Sequence, residues 1–191
     1  VDFPKKHGKT AIVWNESLNS GMMPNDIIVQ RWMDKKDRSV EFANKGGKMI
    51  VSEFYYYYCD YPYGMTSLKK TYSLDPYIKG LTEAGKKNVY GVECPIWAEY
   101  VRDFDKLSYM CFPRFWAVAE AGWTKRANMD YNSFEERFEA LRPMLEEMGI
   151  KPAPRSDWNP NFLQSLKELR QFFKGTTNLG NILNMIRNNQ A

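Results

Sequence analysis

Aromatic side chains recur beside carboxylates and amides at four places in this 191-residue chain. Trp14 precedes Asn15 and Glu16, Trp32 closes the run IIVQRW, four tyrosines (Tyr55 to Tyr58) lead into Asp60, and Trp97 stands two residues before Glu99. In extended backbone, residues two apart point to the same face, so Trp97 and Glu99 are expected side by side at the end of a strand. A flat ring next to an ionised carboxylate suits a sugar. The apolar face of the pyranose lies on the ring, while the carboxylate oxygens accept hydrogen bonds from its hydroxyls.

Other chemistries find less support. Cys59, Cys94 and Cys111 show no CxxC or Cys/His spacing, so no metal site and no cofactor is expected, and their odd number argues against a disulfide scaffold. His7, the single histidine, lies in a basic N-terminal stretch and is given no catalytic part. The formal charge of +4 is spread among interspersed acids and bases, without the basic stripe that nucleic acid requires. No apolar run approaches the ~20 residues of a membrane span. VDFPKKHGKT has neither a signal-peptide core nor an initiator Met, and it reads as the middle of a longer protein. Aromatics at 15% predict a packed domain rather than disorder.

The elements that must position these residues follow a βα rhythm. Short apolar runs at Thr10–Trp14, Ile27–Trp32, Lys48–Ser52 and from Val89 onward read as strands. Ser39–Lys45 has helical spacing and is stopped by Gly46-Gly47. An aromatic loop is expected over Phe54–Tyr63 and a long polar loop from there through Pro76, with a short helix within Asp75–Ala84. Pro113 introduces an Ala-rich helix, Phe115–Trp123. Near-continuous apolar strands alternating with helices predict an α/β fold with a buried parallel sheet, and the aromatic and acidic residues fall at the C-terminal strand ends, where (β/α)8 barrels build their sites. Trp116 and Trp123 are expected in the core, Tyr55 to Tyr57 in packing or at a pocket rim, and Arg114 in a buried ion pair with Glu120 or Glu93.

GVECPIWAE (residues 91–99) followed by FPRFWAVAEAGW (residues 112–123) resembles the last strand and helix of the barrel in family-20 glycoside hydrolases, the β-N-acetylhexosaminidases. IVWNE is similar to that family's strand-end Trp-Asp-Glu, with Asn15 in place of Asp. IVQRW matches its Gln-x-Trp, Tyr58-Cys59-Asp60 its Tyr-x-Asp, and Tyr72 with Asp75-Pro76 a following Tyr…Asp-Pro. Arg137 and the run to Gly149-Ile150 resemble its closing helix and tail. The likeness covers roughly Thr10–Ile150, and residues 161–191 have no counterpart and read as two helices joined at Gly175-Thr176-Thr177.

The resemblance implies the C-terminal half of a TIM barrel, about four βα units, over residues 1–150, with a helical C-terminal extension over 151–191. It implies Trp14, Trp32 and Trp97 as walls of an acetamido pocket, Tyr58 as the donor to the acetamido carbonyl, and Asp60 and Glu99 as grips on the sugar hydroxyls. In that family the substrate's own 2-acetamido oxygen attacks the anomeric carbon while an adjacent Asp-Glu pair orients it and protonates the leaving oxygen. No Asp is followed by Glu anywhere in these 191 residues. The acid–base pair is therefore expected upstream of Val1, and this chain alone is expected to be inactive. The implied partners are an N-acetylated amino-sugar glycan and either the missing N-terminal half or a second copy of the chain, and the family favours an extracellular or cell-surface setting. The alternative is a non-catalytic carbohydrate-binding half-barrel or scaffold.

Overall fold

The computed structural model describes residues 2–174. In chain order its regular elements begin with α1 (Asp2–Lys6), β1 (Ile12–Trp14), β2 (Ile28–Arg31), α2 (Arg38–Asn44), β3 (Lys48–Val51), α3 (Phe54–Tyr57) and α4 (Leu68–Ser73). They continue with α5 (Glu83–Lys86), β4 (Val89–Val92), α6 (Phe104–Cys111), α7 (Arg114–Trp123), α8 (Tyr131–Glu147) and α9 (Phe162–Lys174). The chain divides into two units. The first runs through Phe54 and resumes over Asp75–Glu93, and the second takes Tyr55–Leu74 and the described residues from Cys94 on. The loop expected at Gly175-Thr176-Thr177 lies outside the described residues.

The first unit is built on a parallel four-stranded sheet in the order β1-β2-β3-β4. Val29 pairs with Val13 on one side and Met49 on the other, so the two central strands lie between neighbours and are the more deeply buried. Helix α2 packs on β2, β3 and α5 through Val40, Phe42 and Ala43, and its Phe42 joins Ile27 and Val29 in one apolar cluster. Asp34 fixes the start of α2, accepting from the backbone N–H groups of Arg38 at 3.2 Å and Ser39 at 2.7 Å, as an acid at a helix N-terminus should. Gly46, at φ +97°, ends it as the sequence predicts, and a Cβ on Gly47 would fall 2.1 Å from the Phe42 ring.

The sheet has two edges. Among the described residues β1 pairs only with β2 and β4 only with β3, and both edge strands show apolar side chains, Ile12 at 55% and Tyr90 at 63% exposure.

The second unit is helical. Helix α4 packs against α7, and Tyr63, Leu68, Tyr72, Ala117, Phe134, Phe138, Leu145, Ala153 and Trp158 form its core. Trp158 sits edge-on to Phe138 at 5.5 Å, donates its indole N–H to the Ala153 carbonyl at 2.9 Å, and accepts on its own carbonyl from the Leu68 N–H at 2.8 Å. No helix among the described residues is long and apolar enough to cross a membrane.

Several expectations change. The polar loop before Pro76 contains α4, whose Lys69 and Lys70 hide a buried face of Leu68, Thr71 and Tyr72. Helix α6 occupies the stretch between the last strand and α7, where the sequence predicts no element, and Asp103 caps it by accepting from the Lys106 N–H at 2.7 Å. Within Asp75–Ala84 the helix starts only at Glu83. Trp116 packs against the core as expected, whereas Trp123, the last residue of α7, is 92% exposed.

Replacing Trp158 by Ala removes a buried indole and leaves the Ala153 carbonyl only its Arg142 donor at 3.1 Å, and it should destabilise the second unit by about 3–5 kcal/mol. Urea unfolding checks this, and an unchanged midpoint would show that the aromatic cluster does not hold the unit.

Candidate functional site

In the first unit the candidate residues sit where the strands end. Trp14 is the last residue of β1 and Trp32 directly follows β2, and their indoles meet edge to face with centroids 6.2 Å apart. Trp32 also stands edge-on to Phe54 at 5.9 Å, and its indole N–H donates to the Glu16 carboxylate. Asn15 is buried between the two strand ends. Its Oδ1 accepts from the Trp32 backbone N–H at 2.9 Å and its Nδ2 donates to the Met33 carbonyl at 3.4 Å. An amide can do both, whereas an ionised Asp at this position could only accept. The departure from Trp-Asp-Glu therefore has a local structural use.

Below Trp32, Arg31 gathers acids. Its Nε donates to Glu53 at 2.9 Å, and the same guanidinium reaches Asp34 at 3.3 Å, Asp37 at 3.1 Å and the Ser39 hydroxyl at 3.1 Å. Burial raises the Glu53 pKa above its ordinary value, against the pull of Arg31 and with the help of Asp34 and Asp37. This cluster ties the ends of β2 and β3 to the start of α2, and sequence reasoning missed it because its members are scattered over 23 positions without a motif.

In the second unit Tyr58 and Asp60 are both buried. Burial pushes the Asp60 carboxyl up to about 7. The backbone N–H groups of Asp60 and Trp97 and the charge of Arg114 oppose that rise, while the Glu99 carboxylate adds to it. The Oδ1 of Asp60 has no hydrogen-bond partner among the described residues. Asp60 thus lies within reach of the Trp97 backbone N–H and of the Glu99 charge, and Trp97, at 47%, and Glu99 are both exposed. The route differs from expectation. Strand β4 stops at Val92, Trp97 lies beyond it in extended backbone, and Glu99 falls in the 3-10 turn Ala98–Tyr100. Regular strand alternation therefore does not align the pair.

What holds the Asp60 segment is Arg114. It is fully buried, and all five of its N–H donors are used on backbone carbonyls: Met110 at 3.0 and 2.7 Å, Tyr61 at 2.8 Å, Thr66 at 3.2 Å and Cys59 at 2.6 Å. Its guanidinium also lies 4.2 Å from the Tyr63 ring centroid. With every donor so used, the expected ion pair with Glu120 or Glu93 does not form. Glu120 instead accepts from the Tyr72 hydroxyl at 2.7 Å and from Arg137 at 2.8 Å. A planar fork with five donors can satisfy carbonyls on both sides of Asp60, and no short sequence pattern announces that use.

A carboxyl whose folded pKa lies above its unfolded one binds more protons when folded, so its contribution to stability falls as pH rises. For Asp60 that loss should run between about pH 4 and pH 7. Asp60→Asn should flatten the dependence of Tm on pH across this window. An equal slope in both proteins would mean that Asp60 does not titrate there.

Known proteins place this geometry in context. The family profile described as "Glycosyl hydrolase family 20, catalytic domain" matches residues 2–126. A β-hexosaminidase of Akkermansia muciniphila is 33% identical over 153 residues, covering 73% of this chain and 30% of that protein. A β-N-acetylhexosaminidase of Cellulomonas fimi is 27% identical over 168 residues, 79% of this chain and 33% of its own length. The family-20 β-N-acetylhexosaminidase structure from Streptomyces coelicolor superposes with a TM-score of 0.71 at 31% identity, covering 82% of this chain and 34% of that one. The chain thus spans about a third or less of the length of these relatives.

Proposed function

We propose, since this chain belongs to glycosyl hydrolase family 20, that it is the substrate-recognising C-terminal half of a β-N-acetylhexosaminidase barrel. Residues 1–150 supply about four of its βα units and the stretch from 151 a helical extension. The observation that carries the reading is the meeting of Asp60, Trp97 and Glu99. A buried carboxyl, an exposed indole and an exposed carboxylate are what a sugar ring with several hydroxyls requires. The parallel order β1-β2-β3-β4, with Trp14 and Trp32 at two strand ends, is the arrangement a barrel wall would have.

On this reading the substrate is a glycan ending in N-acetylglucosamine or N-acetylgalactosamine. Trp14, Trp32 and Trp97 are substrate-binding walls, and Tyr58 donates to the acetamido carbonyl, a bond that strengthens as that oxygen attacks the anomeric carbon. Asp60 and Glu99 accept from the ring hydroxyls. The Asp-Glu pair that orients the acetamide and protonates the leaving group comes from the N-terminal half, which completes the barrel. A second copy of the chain is the other candidate to cover the sheet edges.

Steady-state kinetics on an aryl N-acetylglucosaminide test this. The chain alone should show no turnover. Joined to an upstream half carrying the acid–base pair, Glu99→Gln should weaken binding by about 1.5–3 kcal/mol, the scale of a hydrogen bond to a charged group. Trp97→Ala should raise KM, and Tyr58→Phe should lower kcat more than it raises KM. Turnover by the chain alone that falls in Glu99→Gln, and so belongs to the chain rather than to a contaminant, would contradict the division of labour. Equal and small effects of all three variants would put the sugar elsewhere.

A further inference from the structure

The sulfurs of Cys59 and Cys94 lie 2.8 Å apart, though the two residues are 35 positions apart in sequence. Neither is in a disulfide, and Cys111 is also a free thiol. Their backbones are already docked, for the Cys59 N–H donates to the Pro95 carbonyl at 3.0 Å. The Cys94 thiol additionally donates to the Tyr57 carbonyl at 3.0 Å. Both cysteines flank residues that grip the sugar on the reading above: Cys59 stands between Tyr58 and Asp60, and Cys94 opens the stretch that leads to Trp97 and Glu99.

We propose that Cys59 and Cys94 are a thiol–disulfide modification site whose oxidation fastens the Asp60 segment to the segment carrying Trp97. A disulfide bond is ~2.05 Å long, so the sulfurs have less than ~1 Å to close. Cys94 is partly exposed and gives an oxidant its entry, while Cys59 is fully buried. Burial alone would raise the Cys59 pKa, but the side-chain contact with Cys94 and the nearby Arg114 charge prevail and lower it. That favours Cys59 as the thiolate of the closing step. Burial raises the thiols of Cys94 and Cys111 alike, so proximity decides, and the Cys94 sulfur is the one that lies against Cys59.

With a small disulfide such as oxidised glutathione the exchange balances. The Cys94 sulfur attacks one glutathione sulfur as its proton passes to the leaving group, the glutathione S–S bond breaks, and one glutathione thiol leaves. The Cys59 thiolate then attacks Cys94 Sγ, the new S–S bond forms, and the second glutathione departs. The two cysteine protons end on the two glutathione thiols, so the protein pair is oxidised by two electrons and glutathione disulfide is reduced by the same two. The cross-link does not depend on what the site binds. Its effect on sugar affinity does rest on the assignment of Asp60, Trp97 and Glu99.

The test treats the purified full chain with oxidised glutathione, quenches with acid, alkylates and maps peptides without reduction. Two thiols should disappear and one, Cys111, should remain alkylated. The peptides holding Cys59 and Cys94 should be joined, a dithiol should release them, and oxidation should raise Tm in the parent but not in Cys94→Ser. Three alkylated thiols, a persistent glutathione adduct on Cys94 without cross-link, or random pairing that includes Cys111 would each overturn the proposal. A cross-link that forms but leaves N-acetylglucosamine affinity unchanged in the completed enzyme would keep the modification site and remove its link to sugar binding.

Discussion

Parallel strands must be joined by crossovers and covered on their faces, and the first unit is organised by that requirement. Each strand runs in the same direction, so the C-terminal ends of all four collect on one side of the sheet. Trp14 and Trp32 stand there because β1 and β2 end there, and the Asn15 amide bridges the two ends by donating and accepting at once. The same requirement leaves β1 and β4 with one neighbour each among the described residues. An exposed row of backbone donors and acceptors beside apolar side chains is a template for another strand. The proposed half-barrel gives those edges a use, since only closure or pairing removes them.

The second unit depends on a different device. Arg114 carries a full charge into a site with no carboxylate in ion-pair contact among the described residues and offsets its desolvation by spending every donor on a carbonyl. Those carbonyls belong to Cys59, Tyr61 and Thr66 on one side and to Met110 on the other. The backbone around Asp60 is therefore pinned while the Asp60 carboxyl itself stays buried and has one oxygen to offer. A group held near neutrality in this way can accept or donate as pH changes, which suits a polar ligand more than a packing role.

The four strands were legible because β-branched and apolar runs of four to six residues, bounded by Gly, Pro and Asn, have few other readings. Two helices were not. In α4 the Lys pair masks a buried face, and α6 has polar residues at Asp105, Lys106 and Ser108 that hide its cap and its Met110–Cys111 contact with the core. Trp123 misled because composition cannot tell the end of a helix from its buried centre. The residue types of the site were readable, but their mutual placement was not. Trp97 and Glu99 meet Asp60 through an irregular turn rather than strand alternation, and the facing of Cys59 and Cys94 is set by long-range docking.

Light scattering on the purified chain across a concentration series tests the central claim, that this parallel sheet is one half of a closed wall. Apolar edges left in water at ~25 cal/mol per Å2 weigh heavily against a fold stabilised by only ~5–15 kcal/mol. The account predicts a mass above that of one chain at micromolar concentration, falling to a heterodimer when the N-terminal half is added. A monodisperse monomer with a sharp thermal transition at low concentration would contradict it.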